Sequence, residues 1–415
     1  MAKYEMAQQN GRTIDGEDMI FGINRRAANM IAEKGKDAVI NGAIGALMDD
    51  NGELMVLSSV DDTFKSLTPV EYAAYAPICG LPEFRAAAVK AALKSFSPES
   101  SHIRAVATPG GTGALRNVVS NYSCRGDKLI TTDWHWAPYN TIADEQARSF
   151  VTFKLFDDER KFNAADLERV AKTVLEKQDQ LIIFLNTPAQ NPTGYSLTDG
   201  DWGKVVQLIS GLPKEKKITL LLDTAYIDFA GDEDEYRGFL PYLERMPENV
   251  LTVLAFSMSK TFTLYGLRCG AMICFAPTES IADEFVRVCE FSSRSAWSTS
   301  PKAGQSIIAK IFSDEKLLKK VTSERKEIRD VLLKRAKAFE EEARKTGLEM
   351  LPYDGGFFIS IPCEDPKKAA AELEKHGIFL VPLAMGLRVS IASVPEKKCR
   401  KIPAKIVEAL NMSQV

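Results

Sequence analysis

Seven short apolar runs, rich in β-branched residues, recur between Arg104 and Pro277: RAVATPG, KLITTD, SFVTFKLF, QLIIFLN, ITLLLDTAY, VLTVLAF and CGAMICFAP. Helix-like sequence such as GALRNVVSNY or AADLERVAKTVLEK separates many of them. Strands this apolar are covered on both faces, and parallel neighbours need a crossover of a dozen residues or more. The alternation therefore predicts an α/β fold, a mainly parallel sheet layered by helices.

From Glu315 a charged, heptad-like run, EKLLKKVTSERKEIRDVLLKRAKAFEEEARKTG, predicts one long amphipathic helix ending at Gly347, a strut between lobes. Beyond it, LEMLPYDGGFFISIP, IFLVPLA and LRVSIAS are strand-like, with PKKAAAELEKH and a C-terminal helix interleaved, the pattern of a smaller α+β domain. The expected organisation is an N-terminal segment, 1–65, belonging to the small domain; a large domain, 66–314; and the connecting helix with the rest of the small domain, 315–415.

Composition narrows the function. A net charge of −3 over 415 residues gives no field to attract nucleic acid or an anionic membrane. The first twenty residues have no apolar core or small-residue cleavage site, and no apolar run is long enough to span a bilayer, so a cytoplasmic chain without a membrane partner is expected. Seven scattered cysteines without CxxC spacing read as free thiols, and the three histidines are not at ligand spacing, so no metal site is expected.

Ligands of open α/β sheets sit beyond the carboxyl ends of strands, and several strand ends here are polar. After RAVATP, Gly110-Gly111-Thr112-Gly113 opens a helix and offers backbone N–H groups to a phosphate. The same turn is also compatible with a truncated dinucleotide fingerprint, with Asp133 as the ribose-binding acid, although Arg116 stands at the third glycine position. Asn191-Pro192-Thr193-Gly194 reads at its simplest as a turn. Asp223 ends a five-residue apolar run and needs a positive partner, which can be a ligand nitrogen, a salt bridge or a helix end.

Lys260 follows VLTVLAF, with Ser257 and Ser259 before it and Arg268 after it. A lone lysine there is usually solvated. Hydroxyls and a guanidinium, however, are groups that hold a phosphate dianion, and a lysine beside a phosphate can bind an aldehyde as a Schiff base. Pyridoxal 5'-phosphate is an aldehyde with a phosphate handle. It would also need a buried carboxylate for its pyridine nitrogen, as Asp223 supplies; donors to its phenolate, as Asn191 and Tyr226 supply; and an aromatic plane, from Trp134 or Trp136.

SMSKTFTLYGLRCG, NPTG, LLDTAY and GGTGALR, in their relative positions, resemble the class I aminotransferases of the aspartate aminotransferase type, and the resemblance runs from about Asn41 to Arg388. It implies the fold-type I pyridoxal-phosphate architecture and a homodimer with shared active sites. It further implies that Lys260 holds the cofactor and shuttles a proton, that Gly111, Thr112, Ser257 and Arg268 form the phosphate cup, and that Trp136 stacks on the ring. Tyr75 matches a tyrosine reaching the neighbouring subunit's phosphate. Arg388 matches the arginine that grips the substrate α-carboxylate, Gly45 and Phe357 match residues bordering the substrate, and Arg294 matches the arginine that crosses the interface to a distal carboxylate. Tyr139 stands where this family usually has a histidine. The expected partners are amino acids and 2-keto acids, with aspartate or an aromatic amino acid as donor and 2-oxoglutarate as acceptor. A β-lyase on the same fold, and a nicotinamide-dependent dehydrogenase built on GGTGALR, are the alternatives. A non-catalytic regulator would need an attached DNA-binding module, for which no spare basic segment is seen.

Overall fold

The computed structural model of the chain describes residues 4–7, 9, 12 and 18–413, so the outer ends of the first and last segments lie outside the described residues. In chain order the strands are Ile40–Asn41 (β1), His102–Pro109 (β2), Lys128–Thr132 (β3), Ser149–Phe153 (β4), Gln180–Asn186 (β5), Lys217–Asp223 (β6), Val250–Ser257 (β7), Cys269–Ala276 (β8), Phe358–Pro362 (β9), Ile378–Phe379 (β10), Val381–Pro382 (β11) and Gly386–Ser390 (β12). Strands β2 to β8 form one sheet in the order β2-β8-β7-β6-β5-β3-β4. All pairings are parallel except the two made by β8. Every residue of β7 and β8 is buried, which is why these segments read as unbroken apolar runs rather than alternating ones.

Register brings the polar strand ends to one edge. Asn186 pairs with Asp223, Asp223 with Ala255, and Ser257 with Gly270. Because β8 is antiparallel to β2 and β7, its first residue, Cys269, lies opposite Pro109 at the end of β2. The glycine turn after β2 and Arg268 just before β8 thus meet at the same edge. Gly110 has φ +71°, and a Cβ there would overlap the Arg268 guanidinium, so only glycine lets that side chain approach.

The smaller domain pairs β9 and β11 antiparallel with β12, and β1 parallel with β10. Ile359, Ile361, Leu373 and Val389 fill its core together with Phe339 of the long helix. The helix Met19–Lys34 adds Ile23 and Ala27 to a cluster with Phe379 and Val381.

The helix Glu315–Thr346 runs unbroken for 32 residues, with Asp314 accepting from the N–H groups of Lys316 and Leu317 and Gly347 closing it at φ +68°. Its buried arginines anchor both halves. Arg325 bonds Glu233 and the Thr261 carbonyl, while Arg335 donates to the carbonyls of Ala392 and Met48.

Several strand expectations are shortened. LEMLPYDGGFFISIP is strand only from Phe358, because the N–H groups of Asp354 and Gly355 both turn to the Gly194 carbonyl. IFLVPLA is split at Leu380 into β10 and β11, which join different sheets.

Gly194, at φ +80°, is the close approach that seats this turn on the large domain: a Cβ would overlap the Tyr353 ring and lie 2.7 Å from the Phe358 carbonyl. Gly194→Ala is expected to lower unfolding free energy by roughly 2–4 kcal/mol, read from the midpoint of chemical denaturation.

Candidate active site

At the carboxyl edge of the large sheet a cleft of about 260 Å³ opens toward the small domain. Lys260 projects into it from the short helix Met258–Thr261, which starts where β7 ends and is capped by the Ser257 hydroxyl. Its Nζ lies 5.3 Å from the centre of the Tyr226 ring. Burial lowers its pKa and Arg268 lowers it further, against the pull of Asp223, so the amine is biased toward its neutral form.

Asp223 is the last residue of β6. Its Oδ2 accepts from the Tyr139 hydroxyl at 2.7 Å, and its Oδ1 from the Ala225 N–H at 3.2 Å. Burial raises its pKa; the Tyr139 hydrogen bond, the charge of Lys260 and the Ala225 N–H partly oppose that rise. A buried carboxylate braced only by neutral donors suits a protonated nitrogen placed against it.

Gly111 and Thr112, in the first turn of the helix Gly110–Tyr122, face Ser257, Ser259 and Arg268 across the cleft floor. Arg268 Nη1 donates to Ser259 Oγ at 3.3 Å and to the Tyr265 carbonyl at 3.0 Å. Hydroxyls, a guanidinium and a helix N-terminus together make an anion cup sized for a phosphate.

Asn191 and Tyr226 form the adjoining wall, with Asn191 Nδ2 donating to Tyr226 Oη at 3.5 Å. Asn186 holds this wall in place: its Oδ1 accepts from the Asn191 N–H at 2.6 Å, and its Nδ2 donates to the Asp223 carbonyl at 2.7 Å. Trp136 lines the cleft and meets the Tyr139 ring edge-on, whereas Trp134 is buried in the core with its carbonyl bonded by Thr132 and Gln190.

Arg388, on β12, reaches the cleft from the small domain. It donates to Asn191 Oδ1 at 3.2 Å and to the Ala43 carbonyl at 3.0 Å, and its guanidinium lies 4.4 Å from the Phe358 ring centre. Its Nε is buried without a partner and burial pushes its pKa down to about 10, both of which a carboxylate would relieve.

Most of the residues picked from sequence thus share one cleft: Gly45, Gly111, Thr112, Trp136, Asn191, Asp223, Tyr226, Ser257, Lys260, Arg268 and Arg388 all line it. Phe357 does not. It packs behind Tyr226 and Phe229, and the neighbouring Phe358 forms the wall, since successive strand residues point to opposite faces. Tyr75 is 89% exposed, and Arg294 is exposed with its Nη1 donating to Ser298 Oγ; both lie outside the cleft of their own chain. Asp133 is also outside it, accepting from the N–H groups of Trp134 and Leu155 instead of waiting for a ribose. Ser259, noted in sequence beside Ser257, lines the cleft too, and Asn186 and Ile20 line it without having been singled out. The position of Asn186 as the last residue of its strand was a usable signal; nothing in the sequence marks Ile20. Among the described residues no cluster of His, Cys, Asp or Glu could hold a metal, and no helix is long and apolar enough to cross a membrane.

The family model for aminotransferase class I and II matches residues 37–406. The chain belongs to that family. Cytoplasmic aspartate aminotransferase of Dictyostelium discoideum is 25% identical over 387 residues, covering 90% of this chain and 85% of that protein. A solved aminotransferase from Anaerococcus prevotii is 37% identical with a TM-score of 0.95, covering 98% of this chain and all of that one. The aromatic-amino-acid aminotransferase of Burkholderia pseudomallei, solved covalently bound to pyridoxal phosphate, shares the fold at a TM-score of 0.80 and 21% identity, over 98% of this chain and all of that one. The protein is therefore a class I aminotransferase of the aspartate aminotransferase type, with the fold-type I architecture and the family's cofactor, pyridoxal 5'-phosphate. The β-lyase and dehydrogenase alternatives gain no support from these relatives.

The donor set of this aminotransferase fits that cofactor on its own terms: an anion cup, an unneutralised buried carboxylate and a desolvated amine in one cleft. Tyr139→Phe removes the one side-chain hydrogen bond to Asp223 and so raises a pKa that burial already raises. Cofactor affinity is expected to fall roughly tenfold to a hundredfold. The acid limb of its pH profile should move to higher pH, as titration of the cofactor-free variant would record.

Proposed function

We propose that this aminotransferase moves an amino group between an L-amino acid, aspartate or an aromatic one, and a 2-keto acid such as 2-oxoglutarate, with Lys260 as the catalytic residue. The observation that carries the reading is the convergence of Lys260, Asp223, Arg268 and Arg388, from four separate segments, on one cleft. Bound pyridoxal phosphate supplies an electron sink for the substrate's α-carbon. Gly111, Thr112, Ser257 and Arg268 hold its phosphate, Asp223 its pyridine nitrogen, Asn191 and Tyr226 its phenolate oxygen, and Trp136 one face of its ring. Arg388 orients the amino acid by its α-carboxylate, with Gly45 and Phe358 along the substrate side. Lys260 Nζ, whose neutral form burial favours, takes the α-proton and returns it on the other side of the exchange.

The reading includes a homodimer. Tyr75 and Arg294 are exposed and away from their own cleft, as side chains serving a neighbouring site would be, and Tyr72, Val70 and Phe291 leave apolar surface exposed too. Tyr75 would reach the partner's phosphate and Arg294 a distal substrate carboxylate. Ile20 and Phe358 make part of the cleft wall apolar, which favours an aromatic donor alongside a dicarboxylic one. The division at residues 65 and 314, and a cytoplasmic location, belong to the same proposal.

Incubated with pyridoxal phosphate, the purified protein should show a visible absorption band that bleaches with L-aspartate and returns with 2-oxoglutarate. Lys260→Ala should lower kcat by roughly 10²- to 10⁴-fold; a variant with near-normal turnover would remove Lys260 from its role. Arg294→Ala should cut kcat/KM for aspartate roughly 10- to 100-fold and spare L-phenylalanine. Equal losses with both substrates would sink the Arg294 assignment.

A further inference from the structure

Directly behind Lys260 lies a cluster of charge that the chemistry above does not use, with Asp228, Arg237 and Arg325 buried and Lys94 and Glu233 partly buried. Asp228 is 1% exposed and stands at the centre of a short 3-10 turn, Ile227–Phe229, that begins at Tyr226. One carboxylate oxygen accepts from Arg237 Nη2 at 2.8 Å; the other accepts from the Thr261 hydroxyl at 2.7 Å. Burial alone would raise its pKa, but Arg237, Arg325 and Lys94 together hold it well below the usual carboxylate range, which favours its charged form.

Thr261 is the residue after Lys260, and it is gripped twice. Its hydroxyl is bound by Asp228, and its carbonyl accepts from Arg325 Nη1 at 3.4 Å. Arg325 is itself fixed by Glu233, through Nε at 2.8 Å and Nη2 at 2.6 Å, and Glu233 is bound on its other oxygen by Lys94 at 2.6 Å. Arg237 spends its remaining donors on the Ala91 and Ala92 carbonyls at the end of the helix Pro82–Leu93 and on the Glu233 carbonyl. The two turns that carry Tyr226 and Lys260 are therefore cross-braced through Asp228, and the brace continues into the long helix that joins the domains.

We propose that Thr261, clamped by Asp228 and Arg325, is a positioning residue that sets the direction of the Lys260 amine and couples it to the connecting helix. This rests on Lys260 being the reacting amine. A hydroxyl held by a buried anion fixes the backbone of a four-residue helix that is too short to be rigid by itself. Small misplacement of a reacting atom is costly in rate even where binding is intact.

Thr261→Val removes the hydroxyl while keeping shape and leaving every ion pair in place. In the cofactor-loaded enzyme, kcat should fall roughly tenfold to a hundredfold while KM for the amino donor stays within about twofold. The pH midpoint of the visible band should shift, and Thr261→Ser should restore both readings. Arg325→Lys, which keeps the charge but loses the fork onto Glu233 and Thr261, should shift the same midpoint and serves if the valine variant does not fold. A folded Thr261→Val enzyme with wild-type kcat and midpoint, whatever its Tm, would overturn the proposal. A wild-type protein that develops no visible band with pyridoxal phosphate would instead overturn the reading of Lys260, and this one with it.

Discussion

The structure depends on placing a carboxylate almost out of reach of water. Asp223 ends a strand whose preceding residues are buried on both faces of a seven-stranded sheet, and its charge is left with only neutral donors, Tyr139 and the Ala225 N–H. Desolvation disfavours that charge, just as it disfavours the ammonium of Lys260 across the cleft. The two penalties have one cause, and in the proposed function one ligand would relieve both: a ring that brings a protonated nitrogen to the carboxylate and takes up the amine. In the proposed role, the binding energy for the cofactor is stored as unsatisfied electrostatics in the folded apoprotein.

Topology explains why these groups meet. In a purely parallel sheet, residues that precede a strand lie at the far edge from residues that follow one. Reversal of β8 brings Arg268, which precedes its strand, to the edge where Gly111 follows β2 and Asp223 and Ser257 end theirs. The open space at Gly110 then lets the guanidinium lie against the glycine turn. Arg388 arrives from another sheet altogether, and the long helix ties the two sheets together, Arg325 bonding the Thr261 carbonyl beyond β7 and Arg335 the Ala392 carbonyl beyond β12.

These features differ in how legible they were in sequence. Strand ends are local, so Gly111, Asp223 and Ser257 could be read from an apolar run followed by a polar residue of suitable chemistry. The long helix was legible from its periodicity and its closing glycine. Which of Phe357 and Phe358 faces the cleft was not, because it turns on where β9 begins, and Asp354 and Gly355 set that through the Gly194 carbonyl. Ile20 could not be found at all: it reaches the cleft by the packing of Ile23 and Ala27 against Phe379 and Val381, contacts that span most of the chain. The Asp228 cluster was invisible for the same reason, since its five charges come from segments between Lys94 and Arg325 and each looks like an ordinary surface residue in its own neighbourhood.

Asp223 and Asp228 are close in sequence, both buried, and treated in opposite ways. Asp228 has an arginine at 2.8 Å and two further cations nearby, so its charge is fully compensated and its pKa is held low. Nothing is left for it to bind. Asp223 receives a neutral phenol and a backbone N–H, and its pKa is raised. Had Asp223 been paired as Asp228 is, the cleft would contain no group that gains by meeting a cationic nitrogen. Had Asp228 been left as Asp223 is, the turn behind Lys260 would carry an uncompensated buried charge, which is strongly destabilising. The division lets one carboxylate serve rigidity and the other reactivity, and a neutral tyrosine at position 139 keeps the second from being satisfied before a ligand arrives.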